Sequence, residues 1–150
     1  MKKIISIAMA MVLCFMLLGC STTEVQPETS EKEESLNIYD DENISIEFIK
    51  ITNSLVAGNF ELYIKAQNKT DKAVTVYLKD VCINGSMVQV GSGVPCDLIA
   101  GANRTHSFFG RLDLAGVASV DEIKTLTFKV WLVDENFNEI ITTADLEVVK

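Results

Sequence analysis

From Ile38 onward the chain alternates apolar and polar residues with a period of two. Ile44, Ile46 and Phe48 do so in NISIEF, and Phe60, Leu62, Ile64 and Ala66 in FELYIKA. Val74, Val76 and Leu78 follow in AVTVYLKD, then Leu126, Phe128, Val130 and Leu132 in LTFKVWL. A strand sends successive side chains to opposite faces, so each run predicts a half-buried strand. Turn signals separate them: Val56-Ala57-Gly58-Asn59, Asn68-Lys69-Thr70-Asp71, Asn84-Gly85, Ala100-Gly101-Ala102-Asn103 and Asp134-Glu135-Asn136. Asn84-Gly85 suits a two-residue hairpin, because both residues tolerate positive φ. The pattern predicts about seven strands, near 43–51, 59–67, 73–83, 86–90, 104–112, 123–133 and 139–149. A helical turn is expected within Asp113–Glu122, where Ala115-Gly116-Val117-Ala118 breaks the alternation. Short strands with regularly spaced turns predict an all-β, immunoglobulin-like two-sheet sandwich over residues 41–150. Up-and-down and jelly-roll arrangements stay open at this stage.

The N-terminus follows another rule. Met1-Lys2-Lys3 is basic, Ile4–Leu18 is apolar apart from Ser6, and Gly19 precedes Cys20. This order is that of an export signal over residues 1–19. The apolar run is short of the ~20 residues a spanning helix needs. Leu17-Leu18-Gly19-Cys20 resembles the lipobox of bacterial lipoproteins. The resemblance implies a diacylglyceryl thioether on Cys20, cleavage before it and an acyl chain such as palmitate on the freed amine. Such a product is tied to the cell membrane on its extracytoplasmic face. An ordinary secretory signal that ends in Cys is the plainer alternative.

Residues 20–40 then read as the lipidated cysteine and an acidic tether. Ser21–Ser35, STTEVQPETSEKEES, has five glutamates, one lysine and no aromatic residue. It cannot bury enough apolar surface to offset its ordering entropy. At ~5–6 Å × √n, its 15 residues span about 20 Å on average. The 48% hydrophobic fraction is inflated by the signal, and the chain carries 13 basic and 21 acidic side chains, a net charge of −8. Loss of Lys2 and Lys3 takes the mature chain to −10. A surface so acidic repels phosphate backbones, which argues against nucleic acid as a partner.

The folded part resembles the small immunoglobulin-like domains of lipoproteins from Gram-positive bacteria. The resemblance is carried by Asp80-Val81-Cys82-Ile83-Asn84-Gly85, by Ile99-Ala100-Gly101-Ala102, and by Ile123-Lys124-Thr125-Leu126-Thr127-Phe128-Lys129-Val130, with Arg104 near a basic position. These strings are structural. They imply a sandwich displayed outside the cell and carry no activity.

Few residues offer chemistry. Cys14 leaves with the signal, so Cys82 and Cys96 are the mature cysteines besides Cys20. An oxidising compartment permits a disulfide between them, which the chain-entropy model values at about 3 kcal/mol. A tight hairpin at Asn84-Gly85 counts against it, because Cys82 would then face Met87. Two buried free thiols are the alternative, and the separation is neither a zinc nor a thioredoxin spacing. His106 is the only histidine and falls in phase with Phe108 and Leu112, as a structural histidine would. With no partner legible around it, neither a triad nor a metal site is expected. Met87 is the only mature methionine, which leaves no Met/His-rich copper surface. Asp134-Glu135-Asn136-Phe137-Asn138 has Glu139 where a calcium loop needs glycine. Gly91-Ser92-Gly93 lacks the following helix of a phosphate cradle. No cofactor is expected.

One surface stands out. With Leu126, Phe128, Val130 and Leu132 inward, Lys129, Trp131 and Val133 point out, as do Tyr77 and Lys79 on the third strand. A neighbouring last strand would add Ile141, Thr143 and Asp145. Trp131, Tyr77 and Ile141 are therefore the candidate partner contacts. The competing register makes Trp131 the core tryptophan. A non-catalytic binding or accessory module for a protein or envelope polymer fits these features. A passive spacer or assembly subunit of an envelope complex is the alternative, and an enzyme lacks a visible base and nucleophile.

Overall fold

In the computed structural model, which describes residues 35–149, eleven strands form two antiparallel sheets. In chain order they are β1 (Leu36–Asp40), β2 (Ile44–Asn53), β3 (Asn59–Asn68), β4 (Val74–Ile83), β5 (Ser86–Met87), β6 (Val90–Gly91), β7 (Cys96–Leu98), β8 (Asn103–Arg111), β9 (Thr125–Val133), β10 (Glu139–Thr142) and β11 (Leu146–Val149). One sheet has the order β1-β2-β3-β8-β6 and the other β10-β9-β4-β5, with β11 also on β9 and β7 also on β4. Setting β1, β5 and β7 aside, and counting β10 and β11, which both pair with β9, as one interrupted strand, leaves four strands against three, in the order of a constant-type immunoglobulin domain. The fold is an all-β, immunoglobulin-like sandwich.

The inward half of each alternating run makes the core. Phe60, Leu62, Ile64 and Ala66 of β3 face Leu126, Phe128, Val130 and Leu132 of β9, all fully or almost fully buried. Gly110 on β8 leaves room for the Phe60 ring, since a Cβ there would lie 2.7 Å from it.

The extra strands have local causes. The expected strand at 86–90 is two pieces: Ile83 faces Ser86 across a hairpin, while Val90 faces Gly110 in the other sheet. Asn84 and Gly85 both have positive φ, 50° and 81°, as a two-residue turn requires. The expected strand at 139–149 is interrupted at Thr143, whose Oγ1 accepts from Val130 N at 2.9 Å. The sandwich begins at Leu36 rather than at residue 41: β1 pairs with β2, and Ile38 and Tyr39 pack against the core. Asp113–Glu122 holds two single 3-10 turns, Asp113–Ala115 and Val120–Glu122. Cys20 and the expected signal lie outside the described residues.

The antiparallel pairings sort the loops to two ends. One end gathers residues 54–58, the Asn84-Gly85 turn and residues 112–124; the other gathers 41–43, 69–73, 99–102 and 134–138. At the second end buried Asn68 acts as a tie. Its Nδ2 donates to Lys72 O (2.7 Å), Ile99 O (3.0 Å) and Leu98 O (3.2 Å), and its Oδ1 accepts from Thr70 N and Oγ1.

Candidate binding face

β4 and β9 are neighbours, and their register sets Tyr77 opposite Trp131 and Lys79 opposite Lys129. Residues directly opposite in an antiparallel pair share a face. Val76, Val130 and Leu132 fill the core, so Tyr77 and Trp131 lie on the solvent side, half-buried by one another. Their ring centroids are 5.3 Å apart at 39°. Lys79 Nζ sits 3.4 Å from the centre of the Trp131 ring, a cation–π contact. Trp131 Nε1 donates to Glu139 Oε2 at 3.1 Å. Outward phase, not core placement, is correct for Trp131.

The two facing lysines avoid repulsion by turning apart. Lys129 Nζ reaches Asp80 Oδ2 at 2.8 Å and lies 3.8 Å from Asp145. The Lys129 ammonium, by its hydrogen bond and its charge, holds the Asp80 carboxyl below the usual range, and Asp80 in turn raises Lys129. Asp80 itself has φ 51° at the point where the β4–β9 register slips, so it is the bulged residue that swings toward Lys129.

The face continues to β7, where Thr75 Oγ1 donates to Asp97 Oδ1 at 2.6 Å. Beyond it lies an open depression of about 290 Å³ lined by Thr75, Asp97, Ile99 and Glu135 among others. Sequence reasoning missed this extension. Cys96-Asp97-Leu98 alternates, but three residues are too short a run to read as a strand.

Ile141 does not join the face. It pairs with Leu132 and packs against the core, while Thr142 stands opposite Trp131. A register shift between Glu139 and Ile141 inverts the expected phase. Thr143 is likewise buried, held through its hydrogen bond with Val130, and Val133 is buried between Thr75 and Glu139. Of the last strand's expected outward residues, Asp145 alone approaches the face, at Lys129.

Cys82 and Cys96 are free thiols, a correction to the expected disulfide. Cys96 faces Val76 and Cys82 faces Met87, so the two are six positions apart along β4. That is roughly 20 Å at ~3.3 Å per residue, against the about 4.4–6.8 Å a bridge spans between Cα atoms. Their side chains also point to opposite sides of the sheet, Cys96 into the core and Cys82 outward. Burial pushes the Cys96 thiol up to about 11, which keeps it protonated.

His106 sits on the inner side of β8, edge-on to Phe108 with centroids 5.0 Å apart. Among the described residues its buried Nε2 has no hydrogen-bond partner. Burial, then the charge of Arg104, lowers its pKa below 6.5. Asp134 binds Asn136 N, Asn138 N and Asn138 Nδ2, closing its own turn with both oxygens. Among the described residues no group of three or more His, Cys, Asp or Glu side chains is placed to hold a metal ion.

No family model matches the chain. No curated protein matches it either. Several solved structures do. The GAE domain of yeast GGA1 is 9% identical with a TM-score of 0.46, over 78% of this chain and 99% of that one. The GAE domain of GGA2p from Saccharomyces cerevisiae is 12% identical at 0.43, over 78% and 94%. A FixG-related protein from Vibrio parahaemolyticus is 17% identical at 0.39, over 74% and 98%. None of these three reaches a TM-score of 0.5, so the sandwich assignment rests on the pairing order of the strands.

Proposed function

We propose that this chain is a lipoprotein, cut before Cys20 and tied by it to the extracytoplasmic face of the cell membrane. Its sandwich is a non-catalytic module that engages a protein or an envelope polymer. The observation that carries this reading is the solvent-side pairing of Trp131 with Tyr77, with Lys79 stacked on the indole. Aromatic side chains held in place by neighbours lose little freedom on binding and supply most of the contact energy of an interface. The lipobox supports the location, and the free thiols leave the face without a redox requirement.

Retention of partners from an envelope fraction, compared between the natural chain and a Trp131→Ser, Tyr77→Ser chain, tests the module. Loss of a partner without loss of folding is the expected result; undiminished retention refutes the face. Intact mass before and after Cys20→Ser tests the anchor, since the substitution must abolish a diacylglyceryl-sized increment.

A further inference from the structure

The end of the sandwich formed by residues 54–58, Asn84-Gly85 and 112–124 carries four exposed, large apolar side chains. Leu55 is fully exposed, Val56 62%, Met87 69% and Leu114 50%. They come from three separate segments that the fold gathers: the 54–58 loop, β5 and the turn Asp113–Ala115. Leu112 N donates to Gly58 O at 2.8 Å, which joins the 54–58 loop to the turn that bears Leu114. That turn, Asp113–Ala115, lies against β5, which bears Met87. Single exposed apolar residues are ordinary, whereas a cluster drawn from several segments calls for a contact.

The chain outside the described residues points to what makes that contact. β1 runs from Leu36, opposite Phe48 in the middle of β2, to Asp40, opposite Ser45 at the far end. Traced backward from Asp40 to Leu36, β1 therefore points toward the apolar end. If Cys20 is lipidated, the tether of 15 residues averages about 20 Å and keeps that end close to the headgroups. The charges nearby do not favour an anionic surface. Arg111 is paired with Asp113, and Lys124 follows two acidic residues, Asp121 and Glu122, in the same loop. The attraction is apolar.

We propose that Leu55, Val56, Met87 and Leu114 rest in the headgroup layer of the bilayer to which Cys20 ties the chain, so that the opposite end faces outward. The proposal rests on the lipoprotein reading. It fixes which end of the sandwich is membrane-proximal, and it sets the Trp131–Tyr77 face along the side of a standing domain, open to partners.

The test uses the full-length lipidated chain in phosphatidylcholine vesicles, with and without lipids brominated near the headgroup. In a Trp131→Phe background, Leu55→Trp reports on the apolar end and Phe137→Trp on the opposite one. Both positions are exposed, at 103% and 66%, so neither substitution disturbs the core. Lipid-bound bromine quenches indole only at short range. The expected result is a twofold or greater loss of emission for the Leu55→Trp chain and almost none for the Phe137→Trp chain. Equal loss at both ends, or none at either, overturns the orientation. Intact mass separates the two readings: lipid present without quenching refutes the orientation alone, and lipid absent refutes both.

Discussion

Lys79 Nζ stands 3.4 Å from the ring centre of Trp131, so the solvent-side Trp131–Tyr77 pair presents itself with a cation already in place. A partner that meets this surface encounters a fixed, partly neutral platform: Glu139 takes the indole N–H, and Asp80 takes the neighbouring Lys129. Such pre-ordering reduces the entropy that binding must spend.

Because this pair lies outside the core, its removal leaves the domain folded. The Trp131→Ser, Tyr77→Ser chain loses one cross-strand aromatic pair and one cation–π contact, together about 1–2 kcal/mol. Phe128→Ala, at a fully buried position, costs about 3–5 kcal/mol. Urea unfolding of the two variants side by side checks the order; a larger loss from the aromatic pair would return Trp131 to the core.

The separation of the cysteines predicts indifference to reductant. The melting temperature is unchanged by dithiothreitol, and the intact mass of the domain does not rise by two hydrogens. Half-exposed Cys82 reacts with a maleimide in the folded chain, while buried Cys96, its thiol raised to about 11, reacts only on unfolding. Labelling counted by mass with and without urea measures both.

Asn68→Ala removes an amide nitrogen whose two N–H groups serve three carbonyls, and an acceptor of two more bonds, at a fully buried site. Buried carbonyls left without partners cost about 2–3 kcal/mol. Hydrogen exchange then localises the damage: protection falls first in residues 69–73 and 98–102, with β9 unaffected until global unfolding.

The stability of the domain also depends on pH through His106. Its folded pKa lies below 6.5, the unfolded value, because burial disfavours the charged ring. Between those two values the unfolded chain holds the extra proton. Stability is therefore highest above 6.5 and declines as pH falls through 6.5 toward the folded pKa. Carboxylates titrate lower and leave that window largely clear. His106→Phe removes the decline, as the urea midpoint followed from about pH 8 to about pH 5.5 shows directly.

Alternation in FELYIKA and LTFKVWL was enough to place β3 and β9, because burial of one face only imposes a strict period of two on a strand. Asn84-Gly85 likewise predicted its own turn. What escaped the sequence depended on register between distant segments. Leu36–Asp40 becomes a strand only through pairing with β2. Ile141 turned inward because one irregularity near Glu139 shifted the phase, and nothing in Glu139-Ile140-Ile141-Thr142 announces where it falls. The two cysteines look bridgeable along the chain, yet Cys96 pairs near the start of β4 and Cys82 lies near its end. Only the path between the sheets, through Val88 to Val90, separates them.

The short first strand has a mechanical consequence. Load applied through the chain ahead of Leu36 reaches β1 first, and it draws β1 along β2 in shear. Only five residues hold that connection, with Leu36 exposed and Ile38 and Tyr39 packed at the margin of the core. Slippage of β1 would release about 17 Å of slack while β2, β3 and β8 stay assembled. The domain thus has a yielding joint at its first strand, where load entering at Leu36 dissipates before it reaches the Trp131–Tyr77 face.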